Sequence, residues 1–222
     1  MAGLTTIVTA TGHLWLARHA QPLVAPGLCY GTLDLCADPA ATAHSAQQLA
    51  AELPQALQVR YSPLQRCVQL AHALQALRPD LQVQPDARLR ELDFGAWEGR
   101  AWSSIARADI DAWTTAFATH RPGGGESLTA MLARVAAALQ DTRQNAAQGG
   151  SDVLWISHAG VARCVQWLLQ APKGNLPRSD QWPTTAPAFG AWTRFALQLQ
   201  GAEPMSPGQE ADESRPPRSN SP

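Results

Sequence analysis

His13-Leu14-Trp15-Leu16-Ala17-Arg18-His19 is the stretch that decides the fold. An apolar run of strand length ending in a cation and an imidazole reads as a buried strand whose carboxyl end opens on a crevice, since ligands of open α/β sheets sit beyond those ends. His19 becomes a candidate for chemistry by position alone. Its partners must come from other strand ends.

Outward from this strand at 13–17, helix and strand patterns alternate. A helix is expected at about 40–53, where Leu49 and Leu53 share a face, then a strand at Leu57–Tyr61. Ser62-Pro63 reads as an N-cap followed by proline at the first helical position, opening a helix to about Leu77 with Arg66 in its first turn. A strand near 81–84 leads to a polar loop from Arg88 to Arg100, and helices follow at 102–119 and 126–147, separated by glycines 123–125. Asp152–Ser157 is a buried strand, His158-Ala159-Gly160 leads into an apolar helix to about Leu169, and a last strand lies at 190–199. This alternation predicts a single-domain α/β three-layer sandwich, a mostly parallel central sheet with helices on both faces.

The domain is expected over 12–200. Residues 1–11 are a loose start, and 201–222, rich in Pro, Ser, Glu and Arg, cannot offset their ordering entropy and are expected to be disordered. A chain of 222 residues with 45% hydrophobic residues suffices for one sizeable core. Its net charge of −1, from 17 basic and 18 acidic residues well mixed, offers no field for nucleic acid or acidic membrane. The four cysteines form no C-x-x-C pair and no zinc-type spacing, so reduced thiols in the cytoplasm are expected, with no metal and no organic cofactor. No apolar run approaches the about 20 residues needed to span a bilayer, and a soluble, unexported protein acting on a small molecule follows. Oligomeric state is open.

Three strand ends carry chemistry: Arg18-His19, then Ser62 and Arg66, then His158. Parallel strands place all three on one rim, and two of them run into helix starts, which favour anions. Two arginines and two histidines there suit a phosphate. Arg18 and Arg66 can hold phosphoryl oxygens bidentately, one neutral histidine can attack phosphorus, and a second, protonated one can donate to an oxygen. A departing alkoxide needs an acid, for which Glu91, Asp93 and Glu98 are all candidates, on the glycine-punctuated run Arg90–Gly99.

Leu16-Ala17-Arg18-His19-Ala20, Ser62-Pro63-Leu64-Gln65-Arg66, Glu91 to Gly99 and Ser157-His158-Ala159-Gly160 together resemble the motifs of the histidine phosphatase superfamily, the phosphoglycerate mutase-like family, over roughly 13–170. The resemblance implies His19 as the phosphorylated nucleophile, Arg18, Arg66 and His158 as the phosphate pocket, and Glu91 as proton donor. Ala20 and Ala159 replace glycines usual in that family, which a pocket tolerates if the backbone there is not left-handed. Gly27 to Asp34 and Glu91 to Gly99 look most like α-ribazole phosphatases of cobalamin nucleotide-loop assembly. That implies hydrolysis of α-ribazole 5′-phosphate. A broad-specificity phosphatase, a phosphoglycerate mutase-type transferase and a catalytically silent phosphate-binding module are the alternatives.

Among the remaining residues, Tyr30, Trp97, Trp102 and Trp113 could stack on a substrate ring, and the resemblance implies Ser127, in Gly125-Glu126-Ser127, as a contact at the substrate mouth. Trp15 and Trp155 are expected in the core. Gly123–Gly125 reads as a flexible helix start, Glu98 as a holder of its loop, and Arg163 as facing solvent or a carboxylate. His13, His44, His72 and His120 have no motif around them.

Overall fold

The computed structural model describes residues 11–149, 152–171 and 174–198. The expected loose start, Thr11 excepted, and the expected tail at 201–222 lie outside them. The chain runs β1 (Thr11–Arg18), α1 (Pro39–Glu52), β2 (Gln58–Tyr61), α2 (Gln65–Leu77), β3 (Gln82–Pro85), α3 (Arg107–Thr115), α4 (Leu128–Gly149), β4 (Val153–Ser157), α5 (Ala159–Gln170) and β5 (Trp192–Gln198). The five-stranded sheet has the order β3-β2-β4-β1-β5. Only β5 is antiparallel, pairing with β1 at the edge.

Strand alternation splits the core between two faces. Leu14, Leu16, Val153 and Trp155 point toward α4 and α5, packing with Met131, Val135, Val161 and Val165. Their neighbours Trp15, Ala17, Leu154 and Ile156 point the other way, onto Ala46 and Leu49 of α1 and Leu70 and Leu74 of α2. Helices therefore cover both faces, and all of β4 is buried. Trp15 and Trp155 lie in the core as expected. Among the described residues no helix is long and apolar enough to cross a membrane.

Several element ends depart from the sequence reading. Asp38 caps α1, its carboxylate accepting from the Ala41 N–H at 2.7 Å with Pro39 at the first turn. The Ser62-Pro63 signal does not start α2 in that way: the helix begins at Gln65 with Leu64 at its N-cap and no side-chain cap, because Ser62 is fully buried and its hydroxyl is turned to His158. The span 102–119 breaks into a 3-10 turn at Trp102–Ser104 and the short α3. Between them Ile105 drops into a small core with Cys29 and Trp97.

The Gly123–Gly125 stretch is not a loose helix start but an interlock. A Cβ on Gly123 would stand 2.1 Å from the Phe94 carbonyl oxygen, and one on Gly125 would stand 2.2 Å from that of Asp93. Only glycines allow this backbone approach, which presses the 3-10 turn at Pro122–Gly124 against the one at Gly95–Trp97.

Candidate active site

The rim is built by register. Arg18 pairs with Ser157, the last residues of β1 and β4, and beyond them the His19 N–H donates to the Ser157 carbonyl at 3.0 Å. β2 ends beside β4, where the Ser62 N–H donates to the Ile156 carbonyl at 3.0 Å, and the chain turns into α2 to deliver Arg66. His158 is the N-cap of α5 in extended conformation, so it stands at a helix N-terminus. The His19 and His158 rings lie 5.2 Å apart, tilted by 60°.

His19 is buried, with Nδ1 2.7 Å from the Ala20 carbonyl oxygen and Nε2 3.2 Å from Arg66 Nε. The carbonyl can only accept, so Nδ1 carries the proton and the Nε2 lone pair faces the guanidinium. Burial, then the charge of Arg66, lowers the His19 pKa to about 3. The ring is neutral, as a nucleophile requires. Ala20 and Ala159 add methyls without strain: Ala56 is the one non-glycine residue with positive φ among the described residues.

Arg66 is 0% exposed, and two more of its five N–H groups bond the carbonyls of Leu33 at 2.9 Å and Gly31 at 2.6 Å. Its Cζ lies 5.6 Å from the Tyr30 ring centroid. Arg18 stacks on Phe189, with Cζ 3.7 Å from the ring centroid, and donates to the Pro187 carbonyl at 3.1 Å. Its Nε is buried without a partner, and so is His158 Nδ1. Unpartnered buried donors beside a cleft mark a place built for an acceptor.

His158 Nε2 lies 2.8 Å from Ser62 Oγ. Burial, followed by the charge of Arg66, pushes the His158 pKa well down, so the imidazolium expected from the sequence is replaced by a neutral ring in the free protein. With the Ser62 hydroxyl donating to Nε2, the His158 Nδ1–H remains a donor. Cys67, 3.6 Å from the same ring, is pushed up to about 12 by burial and stays a thiol.

Of the three carboxylates, Glu91 alone lines the cleft that holds His19, Arg18, Arg66 and Tyr30, a space of about 420 Å³. Its Oε2 accepts from the Gly160 N–H at 3.0 Å and its Oε1 from the Leu92 N–H at 3.1 Å. Asp93 accepts from the Gly95 N–H at 2.7 Å. Glu98 holds the loop as expected, accepting from the backbone N–H groups of Thr32 at 2.8 Å, Phe94 at 3.0 Å and Leu33.

Phe94, Trp102, Trp113, Phe117 and Trp182 form the outer wall of the cleft. Trp102 and Trp113 are stacked with 11° between planes, and Phe117 packs on both Trp113 and Trp182. Trp97 is not on this wall: it is 5% exposed and packs behind, against Trp102 and Trp113. Ser127 lies in a neighbouring depression that shares Glu91 with the cleft, and its hydroxyl accepts from the Ala130 N–H at 3.3 Å in the first turn of α4. Arg163, read from the sequence as facing solvent or a carboxylate, lines the cleft instead, with Nη2 3.4 Å from the Thr184 carbonyl and Nε unpartnered. Phe117, Trp182 and Arg163 carry no local motif by which sequence reading finds them.

The model of the histidine phosphatase superfamily (branch 1) matches residues 14–188. Phosphoglycerate mutase-like protein 4 of Arabidopsis thaliana is 32% identical over 107 residues, 46% of this chain and 45% of that protein, so the match spans less than half the length of this curated relative. A mycobacterial glucosyl-3-phosphoglycerate phosphatase has a similar fold, with TM-score 0.71 at 24% identity over 84% of this chain and 90% of that one. A protein of Thermus thermophilus superposes with TM-score 0.61 at 25% identity, over 86% of this chain and 99% of its own.

Proposed function

Because the chain belongs to the histidine phosphatase superfamily, we propose that it hydrolyses a small phosphomonoester through a phosphohistidine on His19. One observation carries this reading: a buried neutral imidazole whose Nδ1–H is fixed on the Ala20 carbonyl, leaving Nε2 for attack among Arg66, Arg18 and His158. The Nε2–P bond forms as the bond from phosphorus to the ester oxygen breaks, and Glu91 gives that oxygen its proton. Arg18, Arg66, the His158 N–H and the N-terminus of α5 stabilise the charge spread over the phosphoryl oxygens. Glu91 then takes a proton from water, whose oxygen attacks phosphorus and returns His19 and inorganic phosphate.

His19→Ala tests the chemistry. Turnover is expected to vanish, and the parent protein, quenched during turnover, is expected to hold an acid-labile phosphoryl group. Full activity in that variant removes His19 from the mechanism.

For the leaving group, the aromatic wall supports a flat apolar body beyond the phosphoryl site. α-Ribazole 5′-phosphate, whose alcohol carries a benzimidazole on a ribose, is the substrate we favour. The four unpaired cysteines agree with a reducing compartment, and we place the reaction in the cytoplasm. Arg163 supports a second reading, a phosphoglycerate-type transfer in which its guanidinium takes the substrate carboxylate. A panel comparing kcat/KM for α-ribazole 5′-phosphate, sugar phosphates, phosphoglycerates and nucleotides separates the two. Preference for the benzimidazole nucleotide by one or two orders of magnitude, about 1.4–2.8 kcal/mol, supports the first, and activation by a bisphosphate primer supports the second.

A further inference from the structure

Arg134, on the second turn of α4, engages all five N–H groups of its guanidinium. Nε and Nη2 form a fork on the Glu126 carboxylate at 2.7 and 2.8 Å, Nη1 donates to the carbonyls of Arg88 and Arg90 at 2.6 and 2.7 Å, and Nη2 also donates to that of Glu91 at 3.2 Å. Glu126 is tied in turn to the same loop, its N–H donating to the Asp93 carbonyl at 2.8 Å. Both side chains are largely enclosed, 19% and 20% exposed. The grip covers the backbone immediately before and at Glu91, and Glu126 keeps the guanidinium charge paired.

We propose that Arg134, oriented by Glu126, is a positioning residue for Glu91: it fixes the backbone from which the carboxylate is presented to the ester oxygen. This rests on the reading of Glu91 as proton donor. It gives the Gly125-Glu126-Ser127 turn a role that is not substrate contact. The segment 88–91 has no neighbouring strand to satisfy these carbonyls: β3 ends at Pro85, and only the 3-10 turn at Ala87–Leu89 follows. A planar fork with five donors replaces that missing ladder. Lysine has neither the fork nor the donor count.

The test uses Arg134→Lys, Arg134→Gln and Glu126→Gln in the full chain, with thermal melting to confirm folding. Each is assayed on 4-nitrophenyl phosphate, whose leaving group departs without a proton, and on an alkyl phosphate, which needs one. A displaced acid is expected to lower kcat/KM, which ends at phosphoryl transfer to His19 and leaves out the water step that also uses Glu91, roughly ten- to a hundredfold on the alkyl ester, with the aryl ester changed only a few-fold. In a Glu91→Gln background Arg134→Gln is expected to add no further selective loss. Equal losses on both esters, unchanged activity on both, or an additive loss in the Glu91→Gln background would each overturn the positioning role. If Glu91→Gln itself spares the alkyl ester, Glu91 is not the acid and the positioning role falls with it. If Glu91→Gln is selective and Arg134→Gln is not, the positioning role falls alone.

Discussion

The Gly160 N–H binds Glu91 Oε2 at 3.0 Å, joining the carboxylate of one loop to the first turn of the helix that follows His158. A Cβ on Gly160 would lie 2.1 Å from Glu91 Oε1, so any side chain there must displace the carboxylate. Elsewhere in a helix, Gly→Ala stabilises by up to about 1 kcal/mol. Gly160→Ala is therefore expected to melt at or near the parent temperature while losing roughly ten- to a hundredfold in kcat on alkyl phosphates. Calorimetry beside steady-state kinetics checks this. Parental kinetics in the variant would show that the Glu91 position is unimportant.

Ser62 and His158 form a buried pair. Ser62→Ala leaves Nε2 with only the weak Cys67 thiol 3.6 Å away, which costs about 1–3 kcal/mol of stability. It also releases the proton of His158 from Nδ1, so competitive inhibition by inorganic phosphate is expected to weaken, together with kcat/KM, by roughly tenfold. Urea melts and phosphate inhibition measure the two effects separately.

Acid stability follows from the two depressed histidines. In the unfolded chain they bind protons near pH 6.5, whereas in the folded protein His19 resists protonation down to about pH 3 and His158 is pushed the same way. Their contribution is complete above about pH 6.5 and is lost progressively as pH falls toward about 3, with a slope of up to about 1.4 kcal/mol per pH unit for each ring. His19→Asn removes one such slope. Denaturant titrations between pH 7 and 4.5 should therefore show a shallower decline in the variant, and identical declines would place the His19 pKa near its ordinary value.

Trp102 is the most accessible part of the aromatic wall and contributes little to the core. Trp102→Ala is expected to raise KM for phosphates with flat aromatic alcohols roughly three- to tenfold, about 1 kcal/mol. Glycerol phosphate should be turned over as before. A uniform change across both classes would place Trp102 in general packing.

The sheet and its reactive rim were readable because each depends on local pattern: apolar runs ending in Arg18-His19, Tyr61-Ser62 and Ser157-His158 need only a parallel arrangement to converge. Ser62 was legible as polar punctuation but not in its role, since a cap signature looks the same whether the hydroxyl serves its own helix or a histidine on another strand. Trp97 and Trp102 are near neighbours in a loop, and periodicity cannot say which turns inward; Ile105 and Cys29, brought together from distant positions, settle it. Trp182 reaches the cleft through a segment without regular structure, whose path is set by Arg18 on Pro187 and by Arg163, on α5, holding Thr184. Those bonds are purely tertiary. The glycines at 123–125 carry the same lesson: their composition suggests slack, while the Phe94 and Asp93 carbonyls against them demand absence of side chains.

The contact between Arg66 Nε and His19 Nε2 has a chemical corollary. The lone pair that would attack phosphorus is already engaged by a guanidinium, which masks it toward electrophiles in general. An anionic oxygen is the stronger acceptor for that cationic donor, because the pair then carries opposite full charges. An arriving phosphate ester therefore draws Arg66 onto itself and, by the same exchange, uncovers the nitrogen it is about to meet. The pocket selects its electrophile by ionic character before shape is consulted, and uncharged reagents such as acyl donors of similar size meet a nucleophile that remains covered.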